Sequence, residues 1–305
     1  MAECTKAQQN KPTAVALGFF DGLHLGHRAV IDRAVAEAGD TLVPAAFTFS
    51  IGQDAPRKKK GAAALSTPEE KLELLRQAGA VRVENPDFAS FQGMTPEEFV
   101  GDFLAGQMGA KVVCCGSDFR FGKGAAAGVE DLMKLGEPYG IRVCVVPAVM
   151  MDGQPVSSTR IRAAIACGNM AEAARLLGRP YSFAAPVVQG KQLGRKLGFP
   201  TVNQQLPVGL SLPPVGVYAA RIQTPDGVWR MGVCNIGAQP TVEGTVPLAE
   251  TYILDFAGDL YGQTLRLAPW HKLRDIEKFD SVEQLRETVL RNADEARAIL
   301  TGQNW

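Results

Sequence analysis

Along its first 180 residues the chain alternates short apolar runs with longer stretches whose apolar residues recur at helical spacing. The runs predict strands over 13–17, 42–48, 80–83, 111–115 and 141–146, and the spacing predicts helices near 26–38, 67–78, 95–108 and 128–136. Apolar strands between amphipathic helices are the pattern of an α/β domain, a parallel sheet with helices on both faces. From about Ser182 the texture changes. Glycines, prolines and short alternating runs at 184–190, 216–223, 228–236, 248–256 and 263–268 predict a small antiparallel β-barrel, followed by a C-terminal amphipathic helix near 281–300. Asp226-Gly227, between two of those runs, is a hairpin signal. Two domains follow, 1–181 and 182–305, joined at Leu177–Tyr181 by a stretch that is short and not a flexible linker.

Composition narrows the class of partner. The 305 residues are 46% hydrophobic and 21% charged, as in ordinary globular proteins, and leave room for about two domains. Lys plus Arg equals Asp plus Glu, 32 each, so nothing points to nucleic acid or an anionic membrane, and small-molecule substrates are the expectation. No apolar run has the length of a membrane span, and Met1–Pro12 lacks the apolar core of a signal peptide, which together predict a cytoplasmic protein. Six cysteines occur without a Cys-x-x-Cys pair; Cys114, Cys115 and Cys144 lie in apolar runs and read as reduced core thiols. Nothing in the sequence indicates an oligomeric state.

The most informative segment is Gly18-Phe19-Phe20-Asp21-Gly22-Leu23-His24-Leu25-Gly26-His27, between a predicted strand and a predicted helix. It places His24 and His27 at a helix N-terminus, three residues apart on one side, where free N–H groups and the helix dipole favour an anion and Gly26 permits close approach. A zinc pair is the competing reading. Helical zinc pairs are usually four apart with further ligands, whereas the remaining histidine, His271, is far along the chain, so nucleotide phosphate is favoured. Gly116–Gly124, containing Asp118, follows the fourth strand, and ligands of such sheets bind beyond the carboxyl ends of strands.

Three further segments are polar where the fold does not demand it. Ser157-Ser158-Thr159-Arg160-Ile161-Arg162 opens a helix. Its hydroxyls can serve as caps, but two arginines oppose the dipole there and so suggest an anionic ligand. Gly190–Asn203 gathers Lys191, Arg195 and Lys196 with Gly190, Gly194 and Gly198, a loop able to wrap phosphate or simply to be a solvated basic hairpin. Arg57-Lys58-Lys59-Lys60 reads as a solvated loop.

These segments carry a resemblance. GFFDGLHLGH (18–27), DFRFGKG (118–124), SSTRIR (157–162), LLGRPY (176–181), GRKLGFPTVN (194–203), NIGAQPT (235–241) and FAGDLYG (256–262) occur in the order found in prokaryotic bifunctional riboflavin kinase/FAD synthetases, and the chain resembles that family from Val15 to beyond Phe279. The resemblance implies a Rossmann-like nucleotidyltransferase domain that transfers AMP from ATP to FMN, giving FAD and pyrophosphate, and a barrel that phosphorylates riboflavin with ATP. The alternative reading is a monofunctional FMN adenylyltransferase with a non-catalytic flavin-binding barrel. Thr48–Pro56 lacks the Glu-Pro-His-Pro-like continuation usual after the second strand, Gln239 stands where arginine is common, and Phe19 where asparagine is frequent.

For the adenylyltransferase the resemblance implies that His24 and His27 act on the α-phosphate. Gly18, Phe20, Asp21 and Gly26 shape that turn, Ser158, Thr159 and Arg162 hold the β,γ-phosphates, and Asp118 lies near the ribose or flavin. For the kinase it implies Glu250 as general base, Thr201 and Asn203 as residues that place Mg²⁺, and Gly190, Lys191, Gly194, Lys196, Gly198 and Pro200 around the phosphates. Read without the resemblance, Glu250 is an outward residue of an alternating strand.

Overall fold

The computed structural model describes residues 11–51, 63–190, 194, 197–241 and 244–302. These fall into two compact units, divided between Ser158 and Thr159.

The first unit is built on a five-stranded parallel sheet. Its strands are β1 (Thr13–Leu17), β2 (Val43–Phe47), β3 (Arg82–Glu84), β4 (Ala110–Gly116) and β5 (Arg142–Val146), in the order β3-β2-β1-β4-β5. Alternate residues of β1 feed opposite faces. Ala14 and Ala16 pack with Val30, Ile31 and Ala34 of α1 (Leu25–Ala38), and Val15 and Leu17 pack with Phe99, Phe103 and Leu104 of a π-helical segment, Phe99–Gln107. Both layers are apolar, which is why the strands read as continuous hydrophobic runs. Helix α2 (Pro68–Gln77) starts with a Thr67/Glu70 capping box, and α3 (Val129–Gly136) covers the β4–β5 side. The expected 95–108 helix is thus largely π-wound. A two-strand hairpin, β6 (Met150–Met151) with β7 (Gln154–Pro155), follows β5.

The second unit opens with α4 (Ser158–Ala166, its first residue in the first unit) and α5 (Met170–Leu177). Tyr181 in the expected junction is buried, its hydroxyl donating to the Ser211 carbonyl at 2.6 Å. Six strands then close a barrel in the order β10-β11-β12-β9-β8-β13: β8 (Phe183–Val188), β9 (Thr201–Gln205), β10 (Gly216–Gln223), β11 (Trp229–Thr241), β12 (Gly244–Ile253) and β13 (Thr264–Arg274). The predicted hairpin is present, with the Asp226 carboxylate accepting from Thr224 Oγ1 at 2.5 Å and from the Val228 amide at 3.2 Å. Helix α6 (Val282–Thr301) lays Ala293, Ala296 and Leu300 on Val217, Ala219 and Val233. Arg221 donates to the Leu300 carbonyl, a cation at the negative end of that helix.

The sequence predicts five barrel strands, and the described residues form six. The missing one is β9, whose Asn203, Gln204 and Gln205 break the apolar alternation. Gln204 is nevertheless fully buried, because its amide nitrogen donates to the carbonyls of Ala185 and Leu265 at 2.9 and 2.8 Å. A buried amide whose donors are used on neighbouring strands can replace an apolar residue in a barrel interior.

Candidate functional site

In the first unit the sheet order reverses between β1 and β4, and at such a switch point the loops after two neighbouring strands diverge to leave a crevice. The His24/His27 turn follows β1 and the Asp118 turn follows β4. The β1 turn is tightly constrained. Phe20 and Leu23 take positive φ of 54° and 37°, conformations that a non-glycine residue holds only where its surroundings enforce them. Asp21 is buried, and its Oδ1 accepts the amides of Leu65 at 2.8 Å and Ser66 at 3.3 Å. Its carbonyl accepts from Ser158 Oγ at 3.2 Å. Asp21 therefore fastens this turn to two other segments. The Thr48 hydroxyl adds a further tie, to the Phe19 carbonyl at 2.8 Å.

His24 caps α1, its Nδ1 accepting the His27 amide at 3.2 Å. An Nδ1 that accepts leaves the proton of a neutral ring on Nε2, which becomes a donor. The two imidazoles stack at 3.6 Å between centroids, and Phe20 meets His27 edge-on at 5.4 Å. Burial first, and His24 second, hold the His27 pKa well below its ordinary 6.5, so the ring is neutral at physiological pH. His27 Nδ1 is buried and has no hydrogen-bond partner among the described residues. A β-carbon on Gly26 would stand 3.2 Å from the His24 ring, so glycine here preserves the stacked pair as well as access to the backbone. Gly18 lies just after β1, its amide bonded to the Phe47 carbonyl at 3.2 Å.

Of the remaining predicted residues of this site, Asp118 is exposed, Ser158 is half-buried, Thr159 is exposed and Arg162 is half-buried on α4. Arg160 forms an ion pair with Glu172 of α5 at 2.5 Å, which accounts for one of the two arginines at this helix start.

One side chain near this turn carries no signal in the sequence. Lys71, on α2 between Glu70 and Leu72, is only 5% exposed. Its Nζ donates to the Phe49 carbonyl at 2.6 Å and lies 4.7 Å from the Phe19 ring centroid. Desolvation lowers its pKa from 10.5 to about 8, against the pull of Asp21. Phe19 and Phe49 sit 4.8 Å apart and continue through Phe88 and Phe91 as an aromatic row. Below pH 8 both folded and unfolded chains carry this proton and the burial penalty is fully present. Between about 8 and 10.5 the unfolded chain binds more protons, so stability rises with pH. The gap corresponds to about 3 kcal/mol. Lys71→Met should therefore melt higher than the parent at pH 7 and lose this rise; a lower melting temperature at pH 7 would contradict the assignment.

In the second unit the predicted kinase residues converge. Asn203 of β9, Glu250 of β12 and Asn235 of β11 are register partners across three adjacent strands, so their side chains share one face. Thr201, two residues before Asn203, is on that face too, and its hydroxyl donates to Glu250 Oε1 at 2.8 Å. Glu250 and Thr201 open into a cavity of about 180 Å³ walled by Leu197, Phe199, Val217, Val233 and Tyr252. Asn235 lines the same cavity, and its Oδ1 is buried without a partner among the described residues. Only its place in the NIGAQPT segment marks it in the sequence. A second cavity, of about 510 Å³, is lined by Val187, Pro200, Phe256, Asp259 and Tyr261, and Thr201 borders both.

Gly190 faces Asn203 so closely that a β-carbon would lie 2.4 Å from its amide nitrogen, which fixes the glycine by packing. Gly194 lines the first cavity and Gly198 forms the following turn. Lys191 and Lys196 lie outside the described residues, as do Arg57–Lys60. Among the described residues no group of three or more His, Cys, Asp or Glu side chains could hold a metal ion, and no helix is long and apolar enough to cross a membrane.

A histidine pair at the switch point of a parallel sheet, and a Thr-Asn-Glu constellation on one face of a barrel, are the arrangement expected of a two-site transferase acting on nucleotide phosphates. The comparisons resolve both halves. A FAD synthetase family model matches residues 6–160 and a riboflavin kinase family model matches residues 177–300. The chain is 34% identical to the bifunctional riboflavin kinase/FMN adenylyltransferase of Escherichia coli (strain K12), with 93% of this chain and 91% of that protein covered. It is 35% identical to the same-named protein of Pseudomonas fluorescens, covering 95% and 93%, and 31% identical to that of Bacillus subtilis (strain 168), again covering 95% and 93%. A crystal structure described as a macrolide-efflux protein from Streptococcus pneumoniae superposes with a TM-score of 0.84 at 32% identity, covering 97% of this chain and 95% of that one. The chain belongs to the bifunctional riboflavin kinase/FMN adenylyltransferase family.

Proposed function

We propose that residues 182–305 phosphorylate riboflavin to FMN and that residues 1–181 adenylylate FMN to FAD, in the cytoplasm, on small-molecule substrates and without nucleic acid. The observation that carries the kinase half is the Thr201–Glu250 hydrogen bond at the junction of the two barrel cavities. The apolar cavity suits a flavin ring. The other cavity, beyond Thr201, takes the nucleotide, so the riboflavin primary hydroxyl meets the γ-phosphate beside Glu250. The Glu250 carboxylate accepts the hydroxyl proton as the oxygen attacks, and Thr201 fixes the rotamer in which it can do so. Gly190, Gly194, Gly198 and Pro200 surround the phosphates, and Lys191 and Lys196 of the same segment supply positive charge.

Thr201 and Asn203 fit Mg²⁺, because a hydroxyl and an amide carbonyl are hard oxygen donors and few protein ligands suit an ion that keeps waters and phosphate ligands. When bound, Mg²⁺ neutralises phosphate charge. The Thr201 hydroxyl uses its proton on Glu250 and retains lone pairs for a cation, so one residue serves both tasks.

In the adenylyltransferase His24 and His27 donate to the α-phosphate. Asp118 stands on the ribose or flavin side, and Ser158, Thr159 and Arg162 hold the β,γ-phosphates. The attacking FMN phosphate is already ionised at neutral pH, so no general base is needed.

The test is a product assay. Protein incubated with riboflavin, ATP and Mg²⁺ should yield FMN and then FAD by chromatography; FAD from supplied FMN with no FMN from riboflavin would indicate a monofunctional adenylyltransferase. Thr201→Val keeps the shape and removes the oxygen. Riboflavin phosphorylation should fall by about 10²-fold or more, as for loss of a catalytic polar contact, while FAD synthesis from FMN persists; parental kinase rates at limiting Mg²⁺ would remove Thr201 from the site.

A further inference from the structure

Away from both phosphate sites, strand β5 holds a thiol in a setting unlike that of the other described cysteines. Cys144 is the register partner of Cys114 on β4, and both side chains lie on the α1 side of the sheet. Their sulfurs are within hydrogen-bond reach of each other. Arg142 donates through Nη1 to Cys144 Sγ at 2.9 Å, and Arg33 of α1 lies within reach of the same sulfur. Glu37, one helical turn on, pairs with both arginines and is itself within hydrogen-bond reach of the sulfur. Cys144, Arg33 and Arg142 line an open surface cavity of about 510 Å³.

The other thiols lack this combination. Burial pushes Cys115 up to about 11 and Cys234 up to about 12, and exposed Cys167 donates to the Ala164 carbonyl at 3.2 Å. Guanidinium groups have no lone pair, so the Cys144 sulfur can only accept from them. The adjacent carboxylate is a ready acceptor for the thiol proton. Cys144 is itself buried, 8% exposed, but it stands at the wall of that open cavity, and a cation-flanked cysteine so placed with a second thiol beside it can be reached by a small oxidant.

We propose that Cys144 and Cys114 form a redox-active dithiol that reacts with hydroperoxides and, when oxidised, slows the adenylyltransferase. The Cys144 sulfur passes its proton to Glu37 as it attacks the terminal peroxide oxygen, the S–O bond forms as the O–O bond breaks, and the departing alkoxide or hydroxide takes up that proton. Cys114 sulfur then attacks the sulfenic sulfur, an S–S bond forms, and the sulfenic oxygen leaves as water with the Cys114 proton. Two thiols supply two electrons, and one hydroperoxide is reduced to an alcohol and water. The bond would join β4 to β5 two residues before Gly116, where the chain enters the Asp118 turn. The barrel contains neither cysteine. The effect on activity rests on the functional reading above, whereas the covalent chemistry does not.

The experiment treats the full-length protein with hydrogen peroxide and maps its peptides by mass spectrometry. The expected product is a Cys114–Cys144 linked peptide, about 2 Da lighter than the reduced pair and reversed by dithiothreitol. Cys114→Ala should stop at a dimedone-trappable sulfenic acid on Cys144, Cys144→Ala should form neither product, and Arg142→Gln should react several-fold more slowly. Oxidation that falls on other cysteines, or proceeds equally in Cys144→Ala, overturns the proposal. FAD synthesis should drop on oxidation while riboflavin phosphorylation holds. If the linkage forms and FAD synthesis is unchanged, the regulatory half is wrong. If the reduced protein makes no FAD at all, it is the functional reading that fails, and the peptide map still decides the thiol chemistry.

Discussion

Glu250→Gln is expected to lower FMN formation from riboflavin by about 10²- to 10⁴-fold, the range in which a positioned general base acts, and to leave FAD formation from supplied FMN at the parental rate. Glutamine keeps the volume and can still accept from Thr201 through its amide oxygen, so the hydrogen bond on the β9–β12 face survives. What is lost is the ability to take a proton from the attacking hydroxyl. The loss should appear in kcat more than in KM, since the apolar wall of the cavity is untouched. The measurement is initial rates of both half-reactions on one preparation. Riboflavin phosphorylation at the parental rate would show that Glu250 is not the base; equal loss of both reactions would show that the substitution disturbs the whole chain.

His27→Ala is expected to act on the other half. FAD synthesis should fall by about 10²- to 10³-fold, as when one donor to a developing oxyanion is removed, while FMN accumulates from riboflavin. Part of the effect is conformational. The His27 ring stacks on His24 and meets Phe20 edge-on, so its removal also frees the His24 ring and relaxes a turn in which Phe20 and Leu23 hold positive φ. His27→Asn separates the two contributions, because it restores an N–H donor without the ring, and it should recover part of the rate. Parental FAD rates in both variants would sink the assignment. Since His27 is neutral in the free protein, binding of a phosphate anion against it should be accompanied by proton uptake, measurable as a buffer-dependent enthalpy of ATP binding.

The sheet domain was readable because β1, β2, β4 and β5 carry apolar runs and each intervening segment has helical spacing; the predicted bounds lie within two residues of the observed ones. The His24/His27 turn was legible for the same reason, as a polar motif between a strand and a helix. The barrel was less so. β9 hides behind Asn203, Gln204 and Gln205, whose polarity is compatible with burial only through carbonyls on strands distant in sequence. Lys71 is invisible for a related reason: a lysine at a helical position gives no hint that it is buried beside Phe19 and Phe49. Arg160 misleads in the opposite direction, since its partner Glu172 lies on the next helix. In each case the deciding contact is long-range, and sequence patterning reports only local periodicity.

The row Asn203–Glu250–Asn235 draws one residue from each of three neighbouring strands, and strand side chains alternate faces with a period of two. A slip of β12 by one residue against β9 and β11 would turn Glu250 to the opposite face and present Ala249 or Thr251 in its place. Phosphorylation of riboflavin therefore doubles as a gauge of strand alignment. A loop insertion, permutation or fusion that leaves the barrel folded but shifts that alignment by a single step should be silent in circular dichroism and conspicuous in turnover.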